Sequence, residues 1–152
     1  MTTFSKIVLL SKSSIKFAAL EKFLANLTDA MRSMYFSDKL TIETVEPGET
    51  GCPQPISLQS ATTCIQRRLV PHLSSMKQAD DSVLFIAIEN YLEHSVSKDQ
   101  FWDRVLVMFY SKGGNWCLKS KVHDSPAVRA PDAYVPSLNA RIGSVNGTKG
   151  CT

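Results

Sequence analysis

The sequence has no Cys-x-x-Cys pair, no long apolar run and no marked excess of charge of either sign. Each absence excludes something. The four cysteines, Cys52, Cys64, Cys117 and Cys151, lie far apart, which argues against clustered metal sites and dithiol redox motifs. A membrane-spanning helix needs about 20 consecutive apolar residues, and no stretch approaches that length. The opening Met-Thr-Thr-Phe-Ser-Lys lacks the layout of a secretory leader, and Ile7–Leu10 is too short to be its apolar centre. Reduced thiols in a cytoplasmic protein are therefore expected, with Cys64 and Cys117 in the core. The net charge is only +3, and Lys and Arg are scattered apart from Arg67-Arg68 and Lys119–Lys121. That reads as solvated surface and gives no basis for binding nucleic acid. His72, His94 and His123 share no motif, and none is given a catalytic role.

What is present points to one α/β domain. The 152 residues, 43% of them hydrophobic, are enough for a single sizeable core. Val83 to Ile88 is an unbroken apolar run bounded by charges, the pattern of a strand buried on both faces. Glu89 and Asn90 follow at once. A carboxylate at such a place costs several kcal/mol unless it meets a cation, a proton or donors. Open α/β sheets also put their ligands at strand ends. Two readings of Glu89 stay open here: a ligand group, or a residue that turns the chain back to water.

Around this run the order is β-α-β-α-β-β-β-α. Lys6–Leu10 reads as the first strand. A polar Ser11-Lys12-Ser13-Ser14 turn leads to a helix with Ile15, Ala18, Ala19, Phe23 and Leu27 on its core face and Ser13 or Ser14 as N-cap. Strand, polar turn and helix make an anion site in geometry, with Lys16 in the first helical turn. As a generic pattern it is weak. Residues 29–39 form a polar connection with some helical character, and Leu40–Val45 alternates as a half-buried strand. Glu46–Pro55 is a Gly/Pro loop. Leu58–Met76 is amphipathic, with Ala61, Ile65, Leu69 and Leu73 inside and a break at Pro71. Phe101–Tyr110 and Trp116–Val122 are strands joined by a turn at Lys112–Asn115. Pro126–Tyr134 is expected as a short helix, and residues 139–152 as a tail after a domain spanning residues 1–138.

This order, with several residues, resembles the inosine/xanthosine triphosphatase-like family, which hydrolyses non-standard purine nucleoside triphosphates. Its members open with a Thr/Ser-x-Asn-Pro-x-Lys turn, where this chain has Ser11-Lys12-Ser13-Ser14-Ile15-Lys16. Their Gln-Pro dipeptide matches Gln54-Pro55. Counted on without gaps, their Glu-Glu-Thr falls on Gln59-Ser60-Ala61 and a later Arg on Arg68. Their strand ending Ile-Glu-x-Gly-Ile-Asp/Glu corresponds to Ile88-Glu89-Asn90-Tyr91-Leu92-Glu93. The likeness covers roughly Lys6 to Val135. It implies a mixed central sheet flanked by helices, with a truncated C-terminal part and a homodimer as an option. It implies phosphate contacts from Ser11, Ser13, Lys16 and Arg68. It also implies Mg²⁺ or Mn²⁺ on Glu89, and Glu89 with Glu93 as the catalytic acids. A hard cation on oxygen ligands neutralises the phosphoryl group while water attacks it.

The departures matter as much. Both helix carboxylates are replaced, by Gln59 and Ser60, and Tyr91 stands for the Gly after the strand Glu. Losing one well-placed charged group commonly costs on the order of hundredfold in rate. The losses resemble a degenerate branch of the family, the C-terminal domain of a proline-rich coiled-coil protein of the early secretory pathway. There the strand ends Val-Glu-Asn-Phe, and a Lys-Trp-Phe-Asp follows. Ile88-Glu89-Asn90-Tyr91 and Gln100-Phe101-Trp102-Asp103 look similar. The expectation is a non-catalytic binding or adaptor domain without that protein's proline-rich part. It would be cytoplasmic, with Golgi or ER exit sites and a secretory-pathway protein partner implied by the branch. The alternative is an active phosphatase of ITP or XTP in which Lys16 holds phosphate, Glu89 the metal, and Glu93 or Asp103 the water. Gly143-Ser144-Val145-Asn146-Gly147-Thr148-Lys149 also resembles the opening phosphate motif. It reads best as chance in a Gly-rich tail.

Overall fold

The structure, a computed structural model, describes residues 3–49, 51, 54–95, 100–113, 117–124 and 128–129. The elements run β1 (Phe4–Leu9), α1 (Ser14–Ala25), α2 (Asp29–Tyr35), β2 (Phe36–Thr44) and α3 (Leu58–Leu69). A 3₁₀ turn (Val70–His72) and α4 (Leu73–Gln78) follow, then β3 (Val83–Ser95), β4 (Gln100–Gly113), β5 (Cys117–Asp124) and β6 (Val128–Arg129). The sheet order is β2-β1-β3-β4-β5, with β6 pairing β4 beyond β5. β1 pairs β2 and β3 in parallel, and β3, β4 and β5 pair antiparallel. This is the expected α/β architecture with a mixed sheet flanked by helices.

Chain handedness explains why the helices divide between the two faces. The β1-to-β2 connection moves one way across the sheet and the β2-to-β3 connection moves back. Right-handed crossovers in opposite directions must use opposite faces. Leu20 and Leu24 of α1 accordingly cluster with Ile7, Leu9, Leu84 and Ile86. Ala61, Ile65 and Leu69 of α3, with Met76 of α4, cluster with Val8, Phe85, Ala87, Leu106 and Met108. Alternation along β1, β3 and β4 assigns each side chain to one cluster or the other.

Several expectations change in detail. β3 does not stop at Ile88. It runs on to Ser95 because β4 pairs with it throughout, placing Glu89 opposite Leu106 in mid-strand. What ends near Ile88 is the pairing with β1, whose last partner pair is Leu9 with Ile86. α1 does not bury the Ile15, Ala18, Ala19, Phe23, Leu27 stripe. It buries Leu20 and Leu24, with Phe17 and Leu27 packed alongside, while Ile15 is 81% and Phe23 54% exposed. Apolar residues occur nearly all round this helix, so its sequence fits two stripes, and the approach to β1 selects the other one. Pro71 does end α3, through the 3₁₀ turn, and Leu73 stays partly exposed while Met76 is fully buried. Val128–Arg129 is a strand rather than part of a helix. β5 ends opposite Leu106, and β6 takes up the β4 edge left at Trp102 and Asp103. The Gly143–Lys149 motif, the 139–152 tail and half of the Lys112–Asn115 turn lie outside the described residues.

Candidate functional site

Where β1 ends, β3 continues alone on that side, and its free edge has to be satisfied. The Ile86 carbonyl accepts from the Leu10 N–H at 2.9 Å. Two residues on, the Ile88 carbonyl accepts from Lys16 Nζ at 2.6 Å. Two further on, the Asn90 carbonyl accepts from Gln54 Nε2 at 3.3 Å, and the Leu92 N–H donates to the Pro55 carbonyl at 2.9 Å. The Gln-Pro dipeptide therefore acts as a short extra edge on β3. This is the place where the chain's connections diverge from β1 and β3, the usual position of a ligand crevice in an open α/β sheet.

Three of the sequence-derived phosphate residues surround that edge. Ser11 is buried just after β1, and its Oγ accepts from the Ser13 N–H at 3.1 Å. Ser13 is the N-cap of α1, its Oγ accepting from the Lys16 N–H at 3.4 Å. Both hydroxyls thus fix the turn that opens the helix. Lys16 then reaches back over it to β3.

Arg68 and Glu89 form the ionic part. Arg68 sits in the last turn of α3, on the opposite face of the sheet from α1. Its Nη2 donates to Glu89 Oε1 at 3.3 Å, and its Nε stands 2.8 Å from Oε2. That second contact is off the line of the N–H, so the two buried atoms attract without a hydrogen bond. The Glu89 side chain is only 7% exposed. Lys16 belongs to the same cluster electrostatically. Burial lowers its pKa from the usual lysine value, with the Glu89 charge opposing that shift and the Arg68 charge adding to it. Gly48 braces the end of α3 from outside. Its N–H donates to the Arg68 carbonyl at 3.1 Å, and a Cβ there would come within 2.7 Å of the Arg67 carbonyl oxygen.

The other expected residues stand apart. Glu93 lies on the Glu89 face, but four residues along a strand separate them by about 13 Å. Its Oε2 accepts from Arg104 Nε at 2.6 Å in a half-exposed pair. Asp103 pairs with Leu92 and points to the other face. Gln59 is exposed. Ser60 is taken up by the α3 N-terminus, where Ser57 and Ser60 form a reciprocal capping box. Tyr91 is 1% exposed and packed in the α3-side core, so its ring fills space beside Glu89.

These residues do not fit a resident Mg²⁺ or Mn²⁺. A hard divalent ion needs about six oxygen ligands, usually with more than one carboxylate where protein groups dominate. Glu89 offers one carboxylate, already held by a guanidinium. No group of three or more His, Cys, Asp or Glu converges among the described residues. As placed, the cluster holds two cations against one buried anion. It is suited to receiving a further anion rather than a further cation.

On the α1 face, just beyond Lys16, the structure opens into a groove of about 580 Å³ between α1 and strands β3 and β4. Sequence reasoning missed it. The available signal was the surplus of apolar positions on α1, including Ile15, Ala19 and Phe23, which line the groove.

No known family's sequence model matches this chain, and no curated protein matches it. Among solved structures, the crystal structure of protein VC0702 from Vibrio cholerae is similar. The TM-score is 0.56 at 15% identity, over 94% of this chain and 74% of that one. That likeness concerns the fold alone. Among the described residues no helix is long and apolar enough to cross a membrane.

Proposed function

We propose that this chain is a non-catalytic relative of the inosine/xanthosine triphosphatase-like proteins, acting as a binding or adaptor domain. The observation that carries this reading is the Arg68–Glu89 pair. Of the two retained family acids, Glu89 is buried mid-strand against a cation and Glu93 is paired with Arg104 farther along the strand, while Ser60 is locked into a helix cap where a metal-binding carboxylate would be needed. Lys16, Ser11 and Ser13 keep the form of an anion-binding turn. The retained role is recognition of a phosphate-bearing purine nucleotide, or of a protein partner at the same surface, without turnover. The resemblance to the secretory-pathway branch supports a cytoplasmic adaptor near Golgi or ER exit sites. A homodimer fits the same family.

The test is phosphate release from ITP and XTP with and without Mg²⁺, run beside thermal shifts with the same nucleotides. The expected outcome is no Mg²⁺-dependent release. Robust release that Glu89→Gln abolishes would overturn the proposal and favour the active-phosphatase alternative. The convergence of Lys16 and Arg68 beside Glu89 is what that alternative rests on.

A further inference from the structure

The groove beside α1 is separate from the Arg68–Glu89 pair, which lies on the other face of the sheet. Its volume of about 580 Å³ is within the range of small-molecule sites, about 300–1,000 Å³. Its walls are apolar: Ile15, Ala19 and Phe23 from α1 face Ile88, Val107 and Phe109 from the sheet. Polar groups occur at one end, Lys16 and Asn90, and Lys16 is the charged lining residue among those described. Exposed apolar side chains at 81% and 54%, on a helix that could have turned them inward, are costly unless something covers them.

The distribution of charge narrows what that something is. The ammonium of Lys16 spends one donor on the Ile88 carbonyl and has three in all. An anion at the groove end meets the remaining donors and relieves the unfavourable burial of the cation. A second copy of the chain suits the groove poorly. Antiparallel pairing of two α1 helices about Ala19 sets Lys16 opposite Lys22 of the other copy, like charge against like. A flat membrane surface does not enter a slot recessed between helix and sheet. We propose that the groove binds a free single-chain carboxylate amphiphile, its hydrocarbon chain along Ile15, Ala19 and Phe23 and its head group at Lys16. The groove shares Lys16 with the anion-binding turn of the proposed function, while its apolar walls lie apart from that turn.

Calorimetric titration of the full chain with laurate, below its micellar range, tests this directly. Saturable one-to-one binding is expected, tighter by about tenfold than for dodecyltrimethylammonium, which has the same chain and the opposite charge; one charge-assisted hydrogen bond accounts for that factor. Lys16→Met removes the preference for the anion. Ala19→Trp fills the slot and abolishes binding of both amphiphiles while leaving nucleotide thermal shifts as in the parent. Ile15→Glu, at a highly exposed position, weakens laurate more than the cationic amphiphile. The proposal is overturned by an absence of saturable binding, by equal affinity for both head groups, or by binding that survives Ala19→Trp. Competition of laurate by ITP that survives Lys16→Met would also overturn it, placing the acid in the strand-end cleft and not at the shared ammonium. So would binding to phosphatidylglycerol vesicles without binding of free laurate, which would assign the surface to a membrane.

Discussion

On the α3 side of the sheet, Ala61, Ile65, Leu69 and Met76 meet Phe85, Ala87, Tyr91, Leu106 and Met108, all of them buried. On the α1 side, Leu20 and Leu24 cover Ile7, Leu9 and Ile86, but Ile88, Val107 and Phe109 remain half-buried beside an open groove. The same strands supply both faces, residue by residue in alternation. The difference lies in the helices. α3 presents one stripe and buries it. α1 carries two apolar stripes and can bury only one. A closed face fixes its polar inclusions in one geometry, as it does the Arg68–Glu89 pair. A half-closed face leaves apolar surface available to a ligand.

The sharpest way to break this contrast is to truncate one aliphatic side chain on each face. Ile65→Ala, at a fully buried position, is expected to cost about 2–5 kcal/mol, transfer and cavity effects together. Ile15→Ala, on the exposed stripe, is expected to stay within about 0.5 kcal/mol. Urea midpoints at constant m-value read both. A large loss for Ile15→Ala would mean that the open face is covered in solution, and the contrast would fall.

The second prediction concerns the charge inside the closed face. Arg68→Met leaves the Glu89 carboxylate buried without its main partner and is expected to cost about 3 kcal/mol. Adding Glu89→Leu should restore much of that stability, because paired replacement of a buried ion pair by apolar groups is often close to neutral. If the single and double variants unfold alike, the pair contributes by packing rather than by charge.

How far the sequence alone leads differs between the same two regions. β1, α3, β3 and β4 were legible because their patterns are one-sided: Ile65 and Leu69 repeat at helical spacing, and Leu84–Ala87 is an uninterrupted buried run. Pro71 marked the end of α3 for a local steric reason. The orientation of α1 was not legible, since a helix apolar on several sides does not say which side meets the sheet. The sequence leaves Glu89 open between a ligand group and a turn back to water, and its buried mid-strand place depends on the full length of the β4 pairing, a non-local fact. Its pairing with Arg68 was not legible: the resemblance implies phosphate on Arg68 and a metal on Glu89, and nothing in the local window of Arg67-Arg68 says which arginine turns inward. The β3 edge cap by Gln54 and Pro55 joins residues 36 positions apart, and only the fold brings them together.

The smallest effect tests the two faces by pH. Tyr110 lies in the closed core, its hydroxyl donating to Met108 Sδ at 3.3 Å, and burial pushes its pKa up to about 12. An unfolded tyrosine ionises near 10. Between those values the folded state retains a proton that the unfolded state has lost, so stability falls as pH rises through the window. Lys16, at the open groove, has the opposite sign. Its pKa is lowered by burial, so the unfolded chain binds more protons just below the ordinary lysine value and stability rises with pH there. Tyr110→Phe should therefore change stability near neutral pH by only about 0.5 kcal/mol, the loss of one weak hydrogen bond. It should also flatten the alkaline fall. Lys16→Met should steepen that fall by removing the compensating rise. Urea midpoints measured from pH 8 to 12 for the three proteins separate the two contributions. An identical alkaline slope in parent and Tyr110→Phe would mean that water reaches the Tyr110 hydroxyl, and that the α3 face is less closed than its packing implies.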